Sequence, residues 1–534
     1  MSSPTRPARC WGLLALVLAV HALQLMWIAA VDRTLPYLAI ADHAGRALAI
    51  RDDLIELVAC GHGRIALVCR PWIALDVVID RCQYRPPLAM LAALPALWHR
   101  PDPTFAACVA GLGWTALLLA STLALGARLA SPAAGLAGAT VLGAFPSVLG
   151  HRCVLMPFLP EAALVAASAA ALVAARAGWR AGWVWLGIWS GLGMLVRWDC
   201  AVYLAALGAW HLATTARARR LEAALVWLAA QLVAGLVCGG WYLVGAYKLV
   251  RFYWGQGVVA GVHPHDGIPL LSLTNLFYLP TRLIGVHAGP VLGTLALVGA
   301  VRLVRRAHPF VPLGAWWLGL SWAFLLVVPM KGARYWMPAL PPVALAVAIA
   351  ADGLPRRRLC LGALTALALV LQVAQVHVHA VALAWRPEHH EPACWGAQPD
   401  LWEASLDAGR MFPIPDPTWR RAVDGIARAA GAPFAQPAEI VLADPGATEY
   451  LAALALVRRL RLRWPSDVER ADLAGALALA THIVVTTPES SLPSEHLVRL
   501  RAAALVEVAR RDVLFAAPLP DRVRTATLYG PRVR

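Results

Sequence analysis

Apolar residues run along this chain in long, nearly unbroken stretches, without the period of 2 or 3.6 that marks half-buried strands and surface helices. The stretches cover 10–31, 86–98, 104–126, 131–150, 158–176, 182–197, 199–214, 222–247, 288–304, 311–330, 335–352 and 358–382. A spanning helix needs roughly 20 such residues, because each rises about 1.5 Å through a hydrocarbon core about 30 Å thick. The pattern predicts an all-α polytopic membrane protein. Beyond residue 382 it changes: Arg, Asp, Glu and Pro become frequent and the elements shorten. Strand-like runs at 439–443, 481–486 and 512–516 alternate with helical patterns over 448–460 and 493–510. That alternation predicts a small α/β layer with a parallel sheet. The chain therefore divides into a transmembrane part, 1–382, and a soluble α/β domain, 383–534.

Arginines punctuate the stretches. Arg6 and Arg9 precede the first; Arg176 with Arg180, then Arg217, Arg219 and Arg220, then Arg302, Arg305 and Arg306, and finally Arg356, Arg357 and Arg358 fill short connections. Such loops face the cytoplasm. The first stretch lacks a small-residue cleavage site and reads as an uncleaved anchor. With 356–358 inside, residues 383–534, 331–334, 248–287, 151–161 and the long loop 32–85 all fall outside. This parity requires an odd number of crossings. The stretch 86–98 is short and opens on Pro86-Pro87, so it reads as a re-entrant or juxtamembrane helix. Eleven crossings result, and thirteen satisfy the parity equally.

Composition agrees: 60% of residues are hydrophobic and 15% charged, against about 45–50% and 25% in soluble proteins. The net charge of +16 lies in the topological loops, so no nucleic-acid partner is expected. Cys60, Cys69 and Cys82 share the outer loop, which permits one disulfide in an oxidising compartment. There is no CxxC pair for zinc, and no Gly-rich phosphate loop follows the C-terminal strands.

Three outer segments carry unusual residues. The first runs from Asp42 through Arg46, Arg51, Asp52 and Asp53. It reads either as a solvated loop helix or as the place where a carboxylate general base is kept ionised by a nearby cation; Asp42 and Arg46 are an i, i+4 pair on a helix. The second is Arg85-Pro86-Pro87, where a cation meets the apolar layer and either snorkels or binds an anion. The third holds Lys331, Arg334 and Tyr335 at the outer end of a span, where topology disfavours cations. Of 47 basic residues only Lys248 and Lys331 are lysine, which points to a compact point charge that a guanidinium fork does not replace.

The order of these elements resembles the GT-C superfamily of polytopic glycosyltransferases, in the branch of the protein O-mannosyltransferases and lipid A aminoarabinose transferases. The resemblance covers residues 10–355: one span, a long outer loop with an early acid, a basic-Pro-Pro-Leu helix start, and a late Lys-Gly-x-Arg-Tyr segment followed by Pro-x-x-Pro. It implies a polyprenyl-phosphate-linked sugar donor and transfer of that sugar, with inversion, on the outer membrane face. Asp42 falls on the family's catalytic loop acid. His43 stands where relatives usually have Glu, and Arg46 where they often have Tyr. Arg46, Arg51, Arg85, Arg152, Lys331, Arg334 and Tyr335 fall on substrate-binding elements. Many relatives carry a second acid where this chain has Met156; Glu161, five residues on, substitutes for it if the helix turns differently. Arg197 fits a position that is often Lys.

The implied chemistry matches a physical need, since a departing lipid phosphate gains charge that preorganised cations stabilise. A divalent ion is possible and not required. The acceptor is a lipid, a glycan or a protein, and membrane lipids surround the chain. Two rival readings are a transporter or flippase of lipid-linked sugars and a structural membrane subunit.

Overall fold

The computed structural model describes residues 6–31, 38–57, 77–78, 82, 86–100, 102–253, 272–283, 287–327 and 333–378, together with five strands beyond residue 438. Helix α1 (Arg6–Val31) is the first apolar stretch, and α2 (Leu38–Leu57) lies in the loop that follows it. The stretch 86–98 folds as two short pieces, α3 (Leu88–Leu91) and α4 (Leu94–His99). Pro95 at the start of α4 lacks the N–H that would continue the ladder.

Helices α5 (Pro103–Leu129) and α6 (Pro132–Gly143) begin on side-chain caps. Asp102 accepts from the Phe105 N–H and Ser131 from the Ala134 N–H, both at 3.1 Å. The stretch 131–150, expected as one span, is interrupted. Ala144-Phe145 separates α6 from α7 (Pro146–His151), because Pro146 restarts the helix at its first position.

Then come α8 (Phe158–Arg176), α9 (Ala181–Met194), α10 (Cys200–Ala213) and α11 (Arg220–Tyr253). The last is 34 residues long and outruns its apolar stretch at both ends. An amphipathic helix, α12 (Leu273–Arg282), occupies part of the segment read as a loop. Helices α13 (Gly289–Arg305), α14 (Phe310–Val327), α15 (Leu340–Asp352) and α16 (Arg357–Val373) complete the set. A 3₁₀ segment, Ala333–Ala339, leads into α15, and a π turn, Ala374–Val378, ends α16.

Six of the described helices are long and apolar enough to cross a bilayer, judged by length and composition, and the chain is a multi-pass membrane protein. At the centre lies α8, whose apolar stretch is buried along its whole length against α5, α9 and the 3₁₀ segment. Hydrophobic on every face, it fits only an interior position. Around it α5 and α6 approach with backbone in contact. A Cβ on Gly126 would lie 2.6 Å from the Gly135 Cα, and one on Gly135 would lie 2.4 Å from the Leu123 carbonyl oxygen. Small residues at such crossings replace the hydrophobic driving force that lipid removes.

The connections sort into two sets. Ser131 donates to Asp352 at 3.0 Å, Arg306 to the Gly353 carbonyl at 2.8 Å, and Arg176 to Thr214 at 2.7 Å. These join loops that the arginine pattern assigns to the inner side. At the other end, the Leu88 N–H donates to the Leu195 carbonyl at 3.0 Å, joining two segments read as outer.

Beyond residue 438, β1 (Glu439–Leu442), β2 (Arg461–Arg463), β3 (His482–Val485), β4 (Val506–Leu514) and β5 (Val523–Gly530) form one sheet in the order β2-β1-β3-β5-β4. Two sequence expectations are corrected here. The sheet is mixed: β2, β1 and β3 run parallel, while β5 is antiparallel to both β3 and β4. The helix read over 493–510 does not extend to 510, because 506–510 is strand. Val506, Val513 and Val523 favour the pleat, and β4 pairs along its length with β5 through a register shift between Glu507 and Ala509. The helical reading over 448–460 lies outside the described residues.

Candidate active site

The turn between α9 and α10 is Leu195-Val196-Arg197-Trp198-Asp199. Asp199 is the N-cap of α10, and Arg197 folds back onto it. The Arg197 Nε donates to Asp199 Oδ1 at 2.7 Å and Nη2 donates to Oδ2 at 2.5 Å, a two-pronged contact that fixes the guanidinium plane. The same Nε lies 3.4 Å from Glu161 Oε2. Glu161 is wholly buried in the first turn of α8, where the helix N-terminus favours negative charge. Neither of its oxygens accepts a hydrogen bond among the described residues.

Two aromatic rings carry the cations. Phe158, which opens α8, and Tyr335, in the 3₁₀ segment, meet edge to face at 5.6 Å. The Arg197 guanidinium sits 4.5 and 4.8 Å from their centroids, and that of Arg334 5.5 and 5.6 Å from the same two rings. Two guanidinium groups thus share one aromatic platform. The 3₁₀ segment is pinned by three side chains. Tyr203 donates to the Tyr335 carbonyl, Trp317 to the Pro338 carbonyl at 3.0 Å, and Trp336 to Ser321 at 3.0 Å.

The same cations reach α2. His43 is buried, and its imidazole is pushed down to about 3, first by burial and then by the charges of Arg46, Arg197 and Arg334. Its Nδ1 has no hydrogen-bond partner among the described residues. His43 is therefore neutral at physiological pH. Arg46 is buried on the same helix, and Arg51 is buried and pairs with Asp52. Cys82 is a buried free thiol, pushed up to about 12 by burial against the opposing charge of Arg46. It packs there in one apolar cluster with Ala47, Ile50 and Met90. Cys60 and Cys69 lie outside the described residues.

The depressed His43 gives a pH signature. Between about pH 3 and 6.5 the unfolded chain binds a proton that the folded chain does not, so the stability present above 6.5 is lost as pH falls. At pH 5 the loss is about 2 kcal/mol. Thermal unfolding of His43→Gln should fall less between pH 7.5 and pH 5 than that of wild type. Equal falls would remove His43 from the buried, neutral state.

Among the described residues the two carboxyl groups of the cluster are both engaged by a cation of the protein itself. Glu161 and Asp199 both face the Arg197 guanidinium, which fills the space where a metal would have to bridge them. Among the described residues no three His, Cys, Asp or Glu side chains gather.

No protein-family model matches the chain, and no curated protein matches it by sequence. Solved structures do. ArnT from Cupriavidus metallidurans in the apo state aligns with a TM-score of 0.62 at 14% identity, over 97% of this chain and 98% of that one. ArnT bound to undecaprenyl phosphate aligns at 0.59 and 13% identity, over 98% of each. The Archaeoglobus fulgidus oligosaccharyltransferase in complex with zinc and sulfate aligns at 0.49 and 14%, over 88% of this chain and 68% of that one. This chain shares the ArnT fold. ArnT is a lipid A aminoarabinose transferase of the GT-C superfamily, so the resemblance read from motif order reappears as a likeness of fold.

Within this ArnT-like fold the residues singled out from sequence separate into groups. Glu161, Arg334 and Tyr335 meet around Arg197, and Arg46 approaches through His43. Arg152 turns elsewhere. Fully buried, it contacts His21 and donates to Gln24 at 2.8 Å, and Gln372 donates to the same Gln24 oxygen at 3.0 Å. Asp42 lies on α2 one turn before Arg46, with its side chain outside the described residues, as are Arg85 and Lys331. Sequence reasoning missed Asp199, Phe158 and Tyr203. The available signal was the Arg-Trp-Asp triplet in a link too short to need three polar-capable residues.

Proposed function

We propose that this protein is a membrane glycosyltransferase that moves a sugar from a polyprenyl-phosphate carrier to an acceptor hydroxyl on the outer membrane face, with inversion. The observation that carries the reading is the pair of guanidinium groups, Arg197 and Arg334, on the Phe158–Tyr335 platform beside the helix that bears Asp42. ArnT, seen bound to undecaprenyl phosphate, lends the fold. In this reading Asp42 takes the proton from the acceptor hydroxyl as its oxygen attacks the anomeric carbon. The bond from that carbon to the phosphate oxygen breaks, and the electron pair leaves on the lipid phosphate. Arg197, Arg334 and Lys331 stabilise the growing charge, an effect worth several kcal/mol in a site that excludes water. Arg46, Arg51, Arg85, Glu161 and Tyr335 complete the substrate-binding set, while Arg152 is engaged by His21 and Gln24 of α1 and holds that helix in place. Residues 1–382 form the transmembrane catalytic domain, with eleven to thirteen crossings, and 383–534 a small extracytoplasmic α/β domain.

The test is transfer by purified protein from a panel of polyprenyl-phosphate sugars, read as free polyprenyl phosphate and glycosylated acceptor. Movement of the intact donor across a vesicle without cleavage would favour a flippase and end the transferase reading. Within the assay, Lys331→Ala and Arg334→Gln should weaken both donor binding and turnover, since the phosphate is charged in the ground state and more so as the bond breaks. Lys331→Arg should restore little if a point charge is needed. Unfolding without a change in donor affinity would make this segment a structural span end.

A further inference from the structure

At the opposite end of the bundle lies a groove of about 320 Å³, open to the side and almost wholly apolar. Its floor is where α5 and α8 pack, and it is lined on the α8 side by Ala167, Ala171 and Ala174. Methyl side chains leave the depth that larger ones would fill. The walls are four tryptophans: Trp11 of α1, Trp179, and Trp185 stacked on Trp189 with centroids 5.4 Å apart. Trp179 is set by the end of α8. Gly178 adopts φ +101°, its N–H donates to the Ala175 carbonyl, and the Trp179 N–H reaches back to the Ala174 carbonyl, both at 3.0 Å. This closure needs a glycine at that position and swings the following side chain over the helix it ends.

One charge lines this groove. Arg128, in the last turn of α5, uses a single N–H on the Ala124 carbonyl at 3.2 Å and pairs with no carboxylate among the described residues. Arg9, two residues before Trp11, and Arg180, next to Trp179, stand exposed on flanking segments. A concave apolar slot with tryptophans at its walls, a guanidinium on its lining and an arginine-rich rim is complementary to an acyl chain joined to an anionic phosphate.

We propose that this groove binds an anionic glycerophospholipid of the leaflet facing the arginine-rich loops, with an acyl chain along the alanine floor and the phosphate against Arg128. The site is separate from the Arg197–Glu161 cluster, so its occupancy does not depend on the transferase reading. The volume lies at the lower end of the ~300–1,000 Å³ of small-molecule sites, which fits part of one acyl chain and excludes a folded headgroup from the slot.

The probe is phosphatidylglycerol against phosphatidylcholine of identical chains, added to the delipidated full-length protein and counted by native mass spectrometry. Wild type should retain one phosphatidylglycerol in preference to phosphatidylcholine by about fivefold or more, the scale of one charge-assisted contact of about 1 kcal/mol near a membrane surface. Arg128→Gln should remove the preference. Trp185→Ala should lower retention of both lipids. Undecaprenyl phosphate should compete poorly. No preference in wild type, or a preference that survives in the Arg128→Gln/Trp185→Ala double variant, overturns the proposal. So does full displacement by undecaprenyl phosphate, which would make the groove part of the donor's path. Sugar transfer in detergent should be unchanged in Arg128→Gln, so failure here and failure of the transferase reading are separately visible.

Discussion

Exchanging Arg197 for methionine is expected to destabilise the protein by about 3–5 kcal/mol, the cost of breaking a buried ion pair from one side. Methionine matches the length of the arginine stem but supplies no donor. Asp199 would lose both prongs of its contact, and the buried Glu161 would lose the cation it faces. Both carboxyl groups would then be left, without a cation between them, in a medium that screens charge poorly. The cations on the Phe158–Tyr335 rings would fall from two to one. The measurement is thermal unfolding in detergent, with Arg197→Lys expected between wild type and Arg197→Met because a point charge satisfies one carboxylate at a time. A further variant removes the cause: Arg197→Met combined with Glu161→Gln and Asp199→Asn should recover much of the stability while remaining inactive. An Arg197→Met protein that unfolds at the wild-type temperature would show that the cluster holds nothing together.

Asp42→Asn should reduce sugar transfer by about 10²-fold or more, the usual loss when a general base is removed. The amide preserves size and removes the basicity that takes the proton, so donor affinity should stay close to wild type while turnover falls. Asp52→Asn and Asp53→Asn serve as controls. Asp52 already pairs with Arg51 on the next position of the helix, a contact that makes it unsuited to accepting a substrate proton. Normal transfer by Asp42→Asn alongside an inactive Asp52→Asn or Asp53→Asn would mean the right helix and the wrong acid.

What the sequence disclosed follows from what its residues report locally. The spans were legible because lipid demands a long apolar run, and the arginine loops gave an alternation that the bonds between loops follow. The interruption at Phe145-Pro146 was legible in principle, since Pro146 sits inside the stretch, but a proline near the end of an apolar run does not say on which side the helix restarts. The mixed sheet was hidden because strand runs carry no direction. Glu161, Arg334 and Tyr335 were reached through a resemblance of motifs. Their meeting around Arg197 was not legible, because Phe158, Arg197 and Tyr335 come from three separated segments and only packing brings them together. Asp199 looked like part of a short polar link, and nothing in its neighbourhood announces that it grips the guanidinium two residues earlier.

The interior position of α8 has a consequence for how the site meets its surroundings. Membranes differ in thickness, and a spanning helix answers a mismatch by tilting or by drawing the lipid in around it. A helix that meets lipid only through a few alanines at one end has little to answer with. Long peripheral helices such as α11, with Leu232, Leu236 and Leu243 turned outward, bear the mismatch instead. Glu161 and Phe158 ride at the far end of α8 from the alanine groove, so the depth of the Arg197 cluster is set by protein packing more than by the thickness of the membrane.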